Sequence, residues 1–128
     1  MLIRKYEKDD EEQLFNLMKK EGEEWKDYWC ESGKGEYIET IEKSTLTLVL
    51  IEDDLICGFI RCIGYFTIYV DDLLVDKQYR GKNYGKYLLE SVIDEFPNKE
   101  IYVMSDVDGY YESLGYEKAG SIFLVQKG

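Results

Sequence analysis

Histidine is absent from all 128 residues, and that absence removes more chemistry than any other feature of the composition. A Ser-His-Asp triad, a Cys-His nucleophile and the common zinc-ligand sets all need imidazole. Any proton transfer is left to carboxylates, tyrosine, lysine, cysteine or water. Cysteine is scarce, and Cys30, Cys57 and Cys62 are odd in number and lie in no metal-ligand spacing. The N-terminus also lacks a basic segment followed by an apolar run, so the expectation is a reduced, cytoplasmic protein. No apolar run approaches the roughly 20 residues of a membrane span. Internal repeats, low-complexity tracts and Ser/Pro-rich linkers are missing as well. Positive charge is in deficit, with 16 Lys and Arg against 27 Asp and Glu and a net charge of -11. That balance argues against a nucleic-acid partner and favours cationic ones.

What is present suffices for one domain over residues 1–128, since 45% of the chain is hydrophobic and 15% aromatic. Leu2 to Tyr6 alternates as a strand. Asp9, with Glu12 three residues on, has the spacing of a helix cap, and the helix it predicts runs to about Lys20 and ends at Gly22. From Glu23 to Ser44 the periodicity is helical, with Trp25, Tyr28 and Trp29 on one face and Tyr37, Ile38 and Ile41 on another. Gly33-Lys34-Gly35 divides it into two short helices. Thr45–Glu52, Leu55–Cys62 and Phe66–Val75 read as an antiparallel meander. A helix from about Tyr84 to Phe96 is stopped by Pro97, and a strand follows at Glu100–Met104. The strand-helix-strand order makes this last strand parallel to the fourth. A short helix at about Asp108–Leu114 and one or two closing strands within Tyr116–Gln126 complete an α/β (α+β) sandwich. The expected sheet is mixed, mostly antiparallel, with six to seven strands and about four flanking helices.

One stretch reverses the local charge. From Lys77 to Leu89 there are four cations (Lys77, Arg80, Lys82 and Lys86) and no acid, at the point where an apolar strand gives way to a glycine-containing turn and a helix. The first N–H groups of a helix have no intrahelical partner and carry the positive end of its dipole, so such a turn suits an anion. It is not a P-loop, because Gly85-Lys86 is followed by Tyr87 rather than Ser or Thr. Asp71 and Asp72, at the end of the same strand, are candidates for a base or an amine anchor working through water. Side chains alternate along a strand, so one should face a cleft and one the opposite side unless a bulge intervenes. Tyr69 shares alternation with Asp71.

The spacing Arg80-x-x-Asn83-x-Gly85, joined to Tyr110-Tyr111-Glu112-Ser113-Leu114-Gly115-Tyr116 about twenty-five residues later, resembles the GNAT superfamily of N-acetyltransferases over essentially the whole chain. The resemblance implies that the fourth and fifth strands splay apart. It implies acetyl-CoA as cosubstrate, its pantetheine arm paired with the backbone of Leu73, Leu74 and Val75. Its pyrophosphate would be held by the loop Arg80, Gly81, Lys82, Asn83, Tyr84, Gly85 and Lys86. Asn83 stands where the family usually has glycine, and Asn is the other residue that readily takes a left-handed backbone. Tyr111 matches the tyrosine that donates to the departing thiolate, which leaves Tyr110 as the packing residue. The region that grips the acceptor in related proteins holds Glu24, Trp25, Tyr28 and Trp29 here, acid and aromatic surface suited to an ammonium group. The expected function is acetylation of a primary amine, a small cationic one, by direct attack in a ternary complex. A protein or peptide N-acetyltransferase and a non-catalytic acyl-CoA sensor remain open, as do monomer and homodimer.

Overall fold

The computed structural model describes residues 1–128. Five strands form one sheet in the order β1 (Leu2–Lys5), β2 (Leu46–Glu52), β3 (Leu55–Gly64), β4 (Ile68–Val75), β5 (Ile101–Val103). The first four are antiparallel neighbours, and β5 runs parallel to β4. Two apolar layers sandwich the sheet. On one face Leu48, Leu50, Ile60 and Val70 pack against Leu88, Leu89 and Val92 of helix α4 (Tyr84–Glu95). On the other, Val49, Phe59 and Leu74 pack against α1 (Glu11–Glu21) through Leu14, Phe15 and Met18, and against α3 (Glu31–Lys43) through Tyr37 and Ile41.

Three expectations need correction. The six to seven strands become five, because Tyr116–Gln126 forms no strand and Ile122, Phe123, Leu124 and Val125 lie exposed. These four apolar residues are consecutive rather than alternating, and β5 offers an edge only three residues long, so little ladder is available to hold them. The first helix begins at Glu11, after a 3-10 turn at Lys8–Asp10. The cap is made by Asp10, whose Oδ2 accepts from the Glu7 N–H at 2.8 Å, rather than by Asp9 with Glu12. Finally, α3 runs unbroken through Gly33-Lys34-Gly35, and the break falls at Cys30, between α2 (Lys26–Trp29) and α3. Gly33 is a packing glycine: a Cβ there would lie 1.8 Å from the Asp27 carbonyl oxygen, so only glycine lets α3 start this close to α2.

What positions the site is the behaviour of β4. It pairs with β5 only through Ile68, Val70 and the Tyr69 between them, so no strand covers Asp71–Val75 on that side. Its register with β3 steps from Arg61↔Asp72 to Cys62↔Val70, which leaves Asp71 as a bulged extra residue. The bulge exchanges faces. Ile68 and Val70 belong to the α4 layer, whereas Leu74 belongs to the α1–α3 layer and Asp72 meets Tyr37 of α3.

Candidate active site

A cleft of about 1030 Å³ opens where β4 and β5 part. Its floor is Val70–Val75, one wall is the loop before α4 with Arg80, Gly81, Asn83, Tyr84 and Gly85, and the opposite wall is Glu24, Trp25 and Tyr28. Tyr110 and Tyr111, on α5 (Asp108–Ser113), close the third side.

The loop has the backbone an anion cradle needs. Asn83 sits in the left-handed region at φ 65° and ψ 19°, and Gly81 at φ 85°. The Asn83 carbonyl accepts the first i+4 bond of α4, from Tyr87 N–H at 3.0 Å, so the N–H groups ahead of it face outward. Gly85 is buried, and a Cβ on it would lie 2.3 Å from the Tyr110 hydroxyl. Glycine there lets α5 close over the first turn of α4.

At the far end of β4 the two aspartates share one arginine. Arg61 is 3% exposed, an isolated charge in an otherwise apolar strand, and its Nε donates to Asp72 Oδ2 at 2.7 Å. Its Nη2 donates to Asp71 Oδ2, and its Nη1 to Ser44 Oγ at 3.1 Å. Tyr37 donates its hydroxyl to the same Asp72 oxygen at 2.6 Å. Burial works against the Arg61 charge, and Asp72, Tyr37 and Asp71 outweigh it and hold the guanidinium above its ordinary range. One cation between two carboxylates leaves a net charge of about -1 at the cleft floor. Asp72 is saturated by its partners, whereas the Asp71 side chain keeps 31% of its surface open.

The family follows from comparison with known proteins. Residues 6–127 match the acetyltransferase (GNAT) domain. The chain belongs to the GNAT acetyltransferases. Solved structures share its fold at low identity. A GNAT-family acetyltransferase from Streptococcus pneumoniae superposes with a TM-score of 0.74 at 20% identity, over 98% of each chain. An aminoglycoside 6'-N-acetyltransferase complexed with coenzyme A gives 0.75 at 19%, over 94% of this chain and 87% of that one. The aminoglycoside acetyltransferase AAC(6')-Iy in complex with a bisubstrate analogue gives 0.77 at 16%, over 99% and 97%.

As a GNAT acyltransferase, the chain brings most of its sequence-predicted site together. Asp71, Asp72, Leu73, Leu74, Val75, Arg80, Gly81, Asn83, Tyr84, Gly85, Tyr111, Glu24, Trp25 and Tyr28 all border the cleft. Four do not. Lys82 lies over the Tyr79 ring at 5.3 Å, and Lys86 points to solvent. Trp29 packs under α1 and donates its Nε1–H to the Gly22 carbonyl at 3.4 Å, while Tyr69 stacks on Tyr102 outside the cleft. The expected division between the tyrosines also changes. Tyr110, at 40% exposure, borders the cleft as well, and Tyr111 is the more buried, its ring stacked on Tyr116. Sequence reasoning missed Glu21, Arg61 and Asp106. Only Arg61 carried a signal, since a charge flanked by Ile60 and Cys62 in a buried strand demands a partner.

The residues present fit coenzyme A: outward N–H groups at α4, a tight glycine at Gly85, and an uncovered β4 edge for an extended arm. Replacing Asn83 by glycine is expected to leave melting temperature and CoA affinity at or slightly above wild type. Asn83→Val should cost about 1–2 kcal/mol, because a β-branched side chain is strained in the left-handed region. Thermal melts and CoA titration of both variants check this, and a loss of affinity on Asn83→Gly would assign the Asn side chain itself to the ligand.

Proposed function

We propose that this acetyltransferase moves the acetyl group of acetyl-CoA to the primary amine of a small cationic acceptor, by direct attack in a ternary complex. The observation that carries the reading is the uncovered stretch Asp71–Val75, set between the α4 N-terminus on one side and an acidic, aromatic wall on the other.

Acetyl-CoA supplies the activated thioester. The chain's own groups hold and orient. The backbone of Leu73, Leu74 and Val75, free of β5, can pair with an extended amide-bearing arm as an added strand would. A backbone N–H freed by the Asp71 bulge is a preorganised donor for charge developing on a carbonyl oxygen. Outward N–H groups of Tyr84 and Gly85 meet the phosphates.

An alkylammonium with a pKa of about 10.4 must lose its proton before it can attack. The net negative Arg61–Asp71–Asp72 group attracts it, Trp25 and Tyr28 offer aromatic faces 5.6 Å apart, and exposed Glu24 adds charge. Asp71, the more open of the two aspartates, passes the proton to water. Asp72, saturated by Tyr37 and Arg61, holds the bulge. Tyr111 donates toward the leaving sulfur.

Acetyl-CoA should stabilise the protein by about 2.7 kcal/mol at one hundred times its dissociation constant, visible as a thermal shift. A screen of thiol release across free amines and peptides then names the acceptor. No shift at millimolar acetyl-CoA overturns the whole reading. Binding without thiol release from any acceptor makes the chain a sensor, and turnover of peptides alone moves the acceptor to a protein terminus or lysine.

A further inference from the structure

Most ion pairs of the cleft lie within one wall, and one spans it. Arg80, in the loop before α4, reaches Glu21, the last residue of α1, with Nη2 2.6 and 2.8 Å from the two carboxylate oxygens. Its Nε donates to the Val75 carbonyl at 3.1 Å. Arg80 and Glu21 both border the cleft, so this contact joins the wall built on α4 to the wall bearing Trp25 and Tyr28.

Glu21 is poorly placed for a carboxylate. Its side chain keeps only 12% of its surface exposed, and it stands at the C-terminal end of α1, where the helix dipole disfavours negative charge. Lys20 beside it is engaged by Asp76 at 2.9 Å. Arg80 is thus the cation that Glu21 depends on, and a charge this enclosed needs one. A diphosphate at the first turn of α4 competes for the same guanidinium with more charge and better fork geometry. Once it wins, Glu21 faces the cleft without a partner.

We infer that Glu21 is a positioning residue that couples the two substrates: it competes with the donor's phosphates for Arg80, and the carboxylate freed by that exchange receives the ammonium group of the acceptor. The inference rests on the proposed donor and acceptor. By linkage, each substrate then tightens the binding of the other, so the donor-bound enzyme is the form that takes up the amine. A Glu21 that merely packed α1 against the loop would give no such coupling.

The test uses CoA itself, whose free thiol cannot acylate, titrated into the full chain and into Glu21→Gln and Glu21→Asp. Both variants weaken the contact to Arg80, and both are expected to bind CoA about fivefold or more tightly than wild type. CoA should also change tryptophan emission in wild type more than in Glu21→Gln. The chain's two tryptophans, Trp25 and Trp29, follow Glu21 closely, and Trp29 is bonded to the adjacent Gly22 carbonyl. For any amine turned over in the screen, Glu21→Gln should raise the amine KM while CoA affinity rises, two effects of opposite sign that packing damage cannot produce. If CoA binds wild type and both variants alike, or the variants more weakly, the coupling is wrong and the acetyltransferase reading stands. If CoA does not bind wild type at all, both fall together. Should the Gln variant not fold, the Asp variant decides on the CoA titration alone.

Discussion

Tyr111→Phe is expected to lower kcat by roughly ten- to a thousandfold, the range between a hydrogen-bond role and full general-acid catalysis, with CoA affinity and melting temperature near wild type. Burial, with smaller contributions from Tyr110, Asp106 and Tyr116, pushes the Tyr111 phenol up to about 12. It therefore stays protonated throughout the range in which a thiolate near 8.5 on the cysteine scale departs, and serves as a donor to it. Full transfer is uphill on those values, so the hydrogen bond to developing negative charge is the larger part of the effect, and it grows in the transition state. The sign in pH follows. A phenol raised from 10 to about 12 contributes stability that is complete below pH 10 and is lost as pH rises toward 12, so no activity limb below pH 9 should trace to this group. Tyr110→Phe is the informative control. Its hydroxyl lies against Gly85, where an added Cβ would approach to 2.3 Å, so its removal is expected to alter CoA affinity more than kcat. Saturating kinetics on both variants decide the assignment. A collapse of kcat in Tyr110→Phe with Tyr111→Phe active would exchange their roles.

Arg61→Ala should produce the largest loss of stability, about 3–5 kcal/mol, because it strands two carboxylates and a tyrosine hydroxyl around a buried void. Asp72→Asn should cost less, since the amide still accepts from Tyr37 and Arg61 keeps Asp71. For a domain of this size the arginine loss is roughly 10 °C or more in melting temperature. Urea unfolding would show the midpoint falling at unchanged slope. A midpoint shift equivalent to less than about 1 kcal/mol would mean that water replaces the guanidinium and that the bulge at Asp71 does not depend on it. Activity adds a second readout. Loss of Arg61 should disturb kcat at temperatures where the protein is still folded, since the bulge frees the backbone that faces the reacting carbonyl.

Much of this architecture is local and was legible. The apolar alternation of Leu46–Glu52 and Leu55–Gly64, the 3.6-residue stripe of α4 and the stop near Pro97 give strands and helix within a residue or two. The left-handed backbone at Asn83 was readable as well, because its side chain is one of the few that accept it without glycine. Where reading failed, a neighbour distant in sequence had intervened. Gly33 looked like a helix break and is a contact with Asp27, and the closing segment looked strand-forming but meets an edge of only three residues.

The sequence by itself determined the strand-turn-helix that makes an anion site, the aromatic helix that follows it, and an acid-rich balance suited to a cationic partner. Each depends on torsion preference, side-chain period or composition, which neighbouring residues set among themselves. Tertiary structure alone decided which charges meet. The bulge at Asp71 turns Asp72 toward Tyr37, 35 residues away, Arg61 takes both aspartates, and Arg80 pairs with Glu21 across 59 residues of chain. Ion pairing acts over a few ångströms of space and is indifferent to separation along the backbone. No local pattern encodes the choice of partner, and it is the packing of α1 and α3 on the sheet that makes it.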